Sequence, residues 1–116
     1  MSDLNYLIKK LSAFRDERDW AQFHDPKNLA IALSIEAAEL NELFLWKNSA
    51  EELEGVDIDE IADELADVLA YAFLLSDRLN LDPIKIVSNK IQKNAQKYPV
   101  DKVKGSAKKY SKYQGK

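Results

Sequence analysis

Two short acidic stretches, Glu36-Ala-Ala-Glu39 and Glu64-Leu-Ala-Asp67, constrain this chain more than any other feature. Each sets two carboxylates three residues apart, which is one turn apart on the same face of a helix. At about 100° per residue, Glu36 falls in the middle of a stripe made by Leu29, Ala32, Leu33, Leu40 and Leu43. Glu64 falls likewise among Ile61, Val68, Tyr71 and Leu75. Four carboxylates therefore project toward the side that should form the core. Like charges removed from water cannot all stay ionised unless something positive lies between them. A hard divalent cation meets that need, and Mg²⁺, with Mn²⁺ as a substitute, suits a set of oxygen ligands.

The rest of the chain supports long helices. Only three Gly and three Pro occur in 116 residues, between extended periodic stretches, and the predicted fold class is all-α in one domain. Leu4, Leu7, Ile8, Leu11 and Phe14 recur at helical spacing over residues 3–19. Asp25-Pro26 supplies an N-cap and a proline at the first helical position, so a second helix should run from there to about Trp46. It is apolar nearly all round, with Ile31, Ile35, Phe44 and Leu45 away from Glu36, as in a helix buried centrally or between subunits. Lys47–Val56 reads as a polar linker in which Ser49 and Glu52 can cap a short turn of helix. Asp57 opens a third helix reaching Leu79. Asp82-Pro83 opens a fourth that ends before Pro99. Four helices of this size make a thin bundle, for which packing across a dimer interface is expected.

Charge and composition exclude several classes. The net charge of −3 divides into +6 over residues 97–116, with seven Lys and one Asp, and −9 over the rest. Residues 1–98 are expected to form the domain and 99–116 a basic tail, either solvated or meeting phosphate. There is no Cys for a disulfide or thiolate site, no signal-peptide pattern and no apolar run of membrane-spanning length, which suits a cytoplasmic protein. A di-iron or di-manganese carboxylate bundle needs Glu-x-x-His on two helices, and the only histidine is His24, in the loop before the second helix. Zinc lacks ligands for the same reason.

The pattern Glu-x-x-Glu, 24 intervening residues, then Glu-x-x-Asp resembles the metal motif of the all-α nucleoside triphosphate pyrophosphohydrolases, the MazG-like superfamily. Arg18–Leu29, Glu36–Lys47, the run from Lys90 to Pro99 and the segment from Ser106 to Tyr110 are more narrowly similar to its dCTP pyrophosphatase branch. The resemblance implies a four-helix-bundle-like MazG-type fold, Mg²⁺-dependent hydrolysis of a nucleoside triphosphate to the monophosphate and pyrophosphate, and assembly as a homodimer or homotetramer. By position, Glu36, Glu39, Glu64 and Asp67 would be the metal ligands and catalytic residues. Trp20 and Trp46 would frame the base, with Gln22, Phe23 and His24 lining the same pocket. Tyr71, Lys90, Asn94, Lys97 and Tyr98 would face the sugar and phosphates. The broader superfamily often has a second Glu directly before the first motif Glu, and here that place is Ile35. A dCTP-like substrate is thereby favoured over dUTP or a broad set of triphosphates. No stable nucleic-acid partner is expected. A non-catalytic helical interaction module, using Tyr110 and Tyr113 among the tail lysines, is the alternative, and metal dependence separates the two.

Overall fold

Every long helix begins at a side chain that accepts a hydrogen bond from the first turn. The structure, a computed structural model, describes residues 2–107. Tyr110, Tyr113 and Lys108–Tyr110 of the tail lie outside the described residues. Ser2 caps α1 (Asp3–Glu17), Asp25 caps α2 (Pro26–Glu42), Ser49 caps α3 (Ala50–Glu54), Asp57 caps α4 (Ile58–Arg78) and Asp82 caps α5 (Pro83–Lys97). Each such cap satisfies an otherwise orphaned backbone N–H and is worth about 1 kcal/mol. At α3 the Glu52 carboxylate also accepts from the Asn48 N–H, 3.2 Å away. A four-residue helix, α6 (Val100–Val103), follows Pro99. There is no strand among the described residues, and the all-α expectation holds.

The chain divides at Asn80/Leu81 into two compact units. In the first, α2 packs along α4, and α1 also rests against α4. Leu29 on α2 is 1% exposed, and Leu74 and Ser76 on α4 are buried, the Ser76 hydroxyl donating to the Ala72 carbonyl. The α1–α4 contact carries a polar clasp: Ser12 Oγ donates to Asp77 Oδ2 at 3.3 Å, and Arg15 Nη1 lies 3.6 Å from the same oxygen. The outer face of α2, with Ile31 and Ile35, is left exposed. The second unit holds α5 and α6, with Ile84, Val87 and Ile91 exposed along one face of α5.

Two helix ends differ from the sequence expectation. α1 stops at Glu17 and not near residue 19, because the Asp19 N–H bonds the Asp16 carbonyl and the Trp20 N–H reaches the Arg15 carbonyl. This paired closure needs a left-handed residue at its corner, and Asp19 takes it at φ 57°. α2 ends at Glu42, four residues short of Trp46. From Leu43 to Leu45, successive N–H groups bond carbonyls three residues back, which tightens the winding, and Trp46 then turns left-handed at φ 65°. A bulky residue seldom occupies that region, and holding it there costs on the order of 1 kcal/mol.

Candidate active site

The facing of α2 against α4 brings the two acidic stretches together. Carboxylate oxygens of Glu36, Glu64 and Asp67 all lie within 4.8 Å of one another. Glu36 and Glu64 are half-buried, and one oxygen of each, Oε2, is shut off from solvent with no hydrogen-bond partner among the described residues. A buried unpaired carboxylate oxygen is costly, so the arrangement asks for an occupant. Burial is the main reason that Glu36 is pushed up to about 7. Its hydrogen bond with Glu39 comes next, then the charges of Glu39, Asp67 and Glu64. Glu64 is raised as well, first by burial and then by the charges of Glu39 and Asp67. Glu39, one turn after Glu36, is exposed and touches this cluster from outside the close trio.

The donor set fits a small divalent cation. It is all oxygen and anionic, with carboxylate oxygens of three residues within 4.8 Å of one another. Nitrogen and sulfur ligands, which zinc and redox metals favour, are absent from the cluster.

A cavity of about 130 Å³ adjoins the cluster, and Asp67 forms part of its wall. The remaining walls come from α1 (Leu11, Phe14, Arg15), from the loop before α2 (Trp20, His24) and from α4 (Ala70, Tyr71, Leu74). The loop is held in place locally. Gln22 Nε2 donates to the Asp19 carbonyl and carboxylate at 2.9 and 3.1 Å, and Asn28 Nδ2 ties the Phe23 carbonyl to the start of α2 at 3.1 Å. Phe14 and Trp20 meet edge to face at 5.8 Å, and His24 and Tyr71 do so at 6.4 Å. His24 is held below its usual pKa by burial first and by the charge of Arg15 second. Its Nδ1 is buried without a hydrogen-bond partner among the described residues.

Of the residues singled out by sequence, Trp20, His24, Tyr71 and Asp67 share this cavity, and Glu36 and Glu64 stand beside Asp67. Gln22 and Phe23 belong to the same loop but are not walls of the cavity: Gln22 is engaged with Asp19, and Phe23 is 60% exposed. Trp46 is 79% exposed and is not a wall either. Lys90 and Asn94 line a shallow groove on α5 with Ile86, Val87 and Ile91, while Lys97 Nζ sits 5.8 Å from the Tyr98 ring centre; these belong to the second unit. The sequence marked Leu11 and Phe14 only as part of the apolar stripe of α1, and Arg15 was passed over. A signal was present for Arg15. It lies four residues after Leu11 on the apolar stripe of α1, a charge on a core-facing side like Glu36 on α2.

The model of the MazG-like family matches residues 31–112. The dCTP pyrophosphatase 1 of Rattus norvegicus is 43% identical over 109 residues, and that of Homo sapiens is 41% identical. In both cases the match covers 90% of this chain and 64% of the relative, so the chain spans a little under two-thirds of those proteins. The crystal structure of a pyrophosphatase from Archaeoglobus fulgidus is similar with a TM-score of 0.81 and 42% identity, over 85% of this chain and 94% of that one. An all-α chain whose acidic motifs converge in this way, and which the family model matches over most of its length, belongs to the MazG-like family.

Proposed function

We propose that this chain is a Mg²⁺-dependent nucleoside triphosphate pyrophosphohydrolase that converts dCTP, or a modified dCTP, to the monophosphate and pyrophosphate. The observation that carries the reading is the trio Glu36, Glu64 and Asp67, with two buried oxygens unpaired among the described residues, beside a cavity walled by aromatic rings. Similarity to proteins named dCTP pyrophosphatase 1 and to a solved pyrophosphatase supports the reaction and the base.

Glu36, Glu64 and Asp67 would hold the ion, with Glu39 alongside. Mg²⁺, or Mn²⁺ in its place, would supply charge to offset the phosphate oxygens and to orient and acidify an attacking water. The chain's own groups do the rest. A carboxylate of the cluster such as Glu39, exposed beside the trio, would take the proton of an attacking water. Trp20 and Tyr71 offer ring surfaces for a base, and stacking of this kind contributes about 1–3 kcal/mol per base. His24, neutral at physiological pH, offers a polar edge to the same space. The 130 Å³ of the cavity is well below the 300–1,000 Å³ of a typical small-molecule pocket, so it suits one planar ring and leaves the triphosphate outside, toward Asp67.

Lys90, Asn94, Lys97 and Tyr98 are proposed to contact sugar and phosphates, and Trp46 to frame the base. A homodimer or homotetramer is proposed as the working assembly. The exposed Ile31 and Ile35 of α2, the exposed Trp46, and a core whose buried hydrophobics among the described residues are Leu29 and Leu74 all support a partner surface. Residues 1–98 would form the catalytic domain and 99–116 a basic tail. No helix among the described residues is long and apolar enough to cross a membrane, and a role in cleansing the cytoplasmic nucleotide pool is proposed. The test is pyrophosphate release from a panel of deoxynucleoside and nucleoside triphosphates, with Mg²⁺ and then with EDTA. Release that needs the metal and is fastest for dCTP is expected. No release from any triphosphate by folded protein with Mg²⁺ present would refute the reading.

A further inference from the structure

Arg15 has more hydrogen-bonding capacity than its surroundings use. Its side chain is 15% exposed, and of its five N–H donors only Nε–H makes a short hydrogen bond, 2.9 Å to Asp16 Oδ1. Nη1 stands 3.6 Å from Asp77 Oδ2, near enough for charge attraction and too far for a good hydrogen bond. No described residue accepts a hydrogen bond from Nη2. The ion pairs with Asp16 and Asp77 compensate the charge, and the Nη groups keep N–H donors that a ligand in the cavity can take up.

Its location says what kind of ligand. Arg15 lines the 130 Å³ cavity, where the other walls are chiefly aromatic and aliphatic. Its backbone carbonyl accepts from the Trp20 N–H at 3.1 Å, so the same residue fixes the start of the loop that carries Trp20 and His24. Asp77 and Ser12 join α1 to α4 around the head group, which limits where the fork can point. Rings on the walls bind any flat heterocycle, whereas a fixed N–H fork rewards one with acceptors at its edge, a carbonyl oxygen above all. The proximity of its charge to His24 also favours the neutral imidazole.

Building on the proposed function, we propose that Arg15 is a specificity-determining residue of the cavity, selecting a pyrimidine ring through its carbonyl oxygen, and that Asp77 is a positioning residue that aims the guanidinium. The structural alternative is that Arg15 only clips α1 to α4.

Two rings of nearly equal size, differing in the 2-carbonyl and the N1–H that accompanies it, separate these roles. Cytosine and 4-aminopyrimidine (cytosine without its exocyclic 2-oxo group) are titrated against the full chain at pH 8 in EDTA by ligand-observed NMR. The wild type is expected to prefer cytosine by about tenfold or more, the effect of a hydrogen bond to a charged donor. Arg15→Leu should abolish the preference by weakening cytosine and leaving 4-aminopyrimidine unchanged, Arg15→Lys should keep part of it, and Asp77→Asn should reduce it. If Arg15→Leu does not fold, the ratio in Arg15→Lys and Asp77→Asn decides. Equal weakening of both rings, an unchanged ratio, or no ring binding by the wild type would each overturn the assignment. Since these measurements contain no metal or triphosphate, metal-dependent pyrophosphate release alongside a failed ring preference sinks only the role of Arg15. Ring preference without release sinks only the catalytic reading.

Discussion

Metal-free protein should lose stability as pH rises from 5 to 8, and Glu36 is the main cause. Its pKa is pushed from an ordinary 4.5 to about 7, chiefly by burial and then by Glu39. Between those values the native state keeps a proton that the unfolded chain has released, so the native state binds more protons and stability falls with rising pH. The contribution is whole below 4.5 and lost as pH passes about 7. A separation of that size corresponds to about 3 kcal/mol at full strength. The cluster is only half-buried, and solvent screening leaves roughly 1–2 kcal/mol, or a few degrees in Tm for a domain of this size. Glu64, raised for similar reasons, acts in the same direction. His24 opposes them, since its lowered pKa contributes stability above 6.5 that is lost as pH falls. Comparison with Glu36→Gln removes that opposition, because His24 is common to both proteins. Thermal unfolding followed by circular dichroism in EDTA, at one protein concentration, should show the wild type losing more Tm than Glu36→Gln between pH 5 and 8. Saturating Mg²⁺ should then raise the wild-type Tm at pH 8 more than at pH 5, because the ion needs the carboxylates ionised. Parallel pH profiles for the two proteins would refute the assignment of a strained acidic cluster.

Other perturbations reach separate parts of the argument. Asp67→Asn should lower Mg²⁺-dependent pyrophosphate release by about 10²-fold or more while the helical circular dichroism persists; wild-type turnover would remove Asp67 from the site. Leu29→Ala, at a position on α2 that is 1% exposed, should cost about 2–5 kcal/mol in urea unfolding, and a loss under 1 kcal/mol would mean that the site collapses around the deletion. Trp46→Asn should raise Tm in dilute protein, as Asn accepts φ near 65° more readily than Trp and few contacts are lost from a side chain 79% exposed. A lower Tm would show that Trp46 is packed in the working assembly.

Much of the helical layout could be read from local chemistry. Asp25-Pro26, Ser49, Asp57 and Asp82-Pro83 announce their helices because a cap is a contact within a few residues, and each proves to be one. The end of α2 was not legible, since nothing between Leu43 and Trp46 is a helix breaker. The chain stops there through three tightened hydrogen bonds and a left-handed Trp with no glycine to mark it. The carboxylate trio was legible because each pair lies within one turn and their shared position on apolar stripes forces the two helices to present them to each other. The cavity was less so. Leu11 and Leu74 meet in its wall from positions 63 residues apart, and no periodicity within α1 or α4 reports that pairing.

The acidic trio and Arg15 obey one rule with opposite signs. A charged group on the core-facing side of a helix survives only where something compensates it, since its unpaired burial costs several kcal/mol. For Arg15 the protein supplies part of that compensation through Asp16 and Asp77, which is why its own pKa is raised and not depressed by burial. For Glu36 and Glu64 the nearest charges are negative and worsen the position. The first site is therefore close to balanced before a ligand arrives, and the second is not. It follows that divalent cation should change the melting temperature strongly and a heterocyclic base only slightly, so the main ligand-induced stabilisation should come from the phosphate end of the substrate. Should a free base stabilise the metal-free protein more than Mg²⁺ does, this division between the two halves of the site is mistaken.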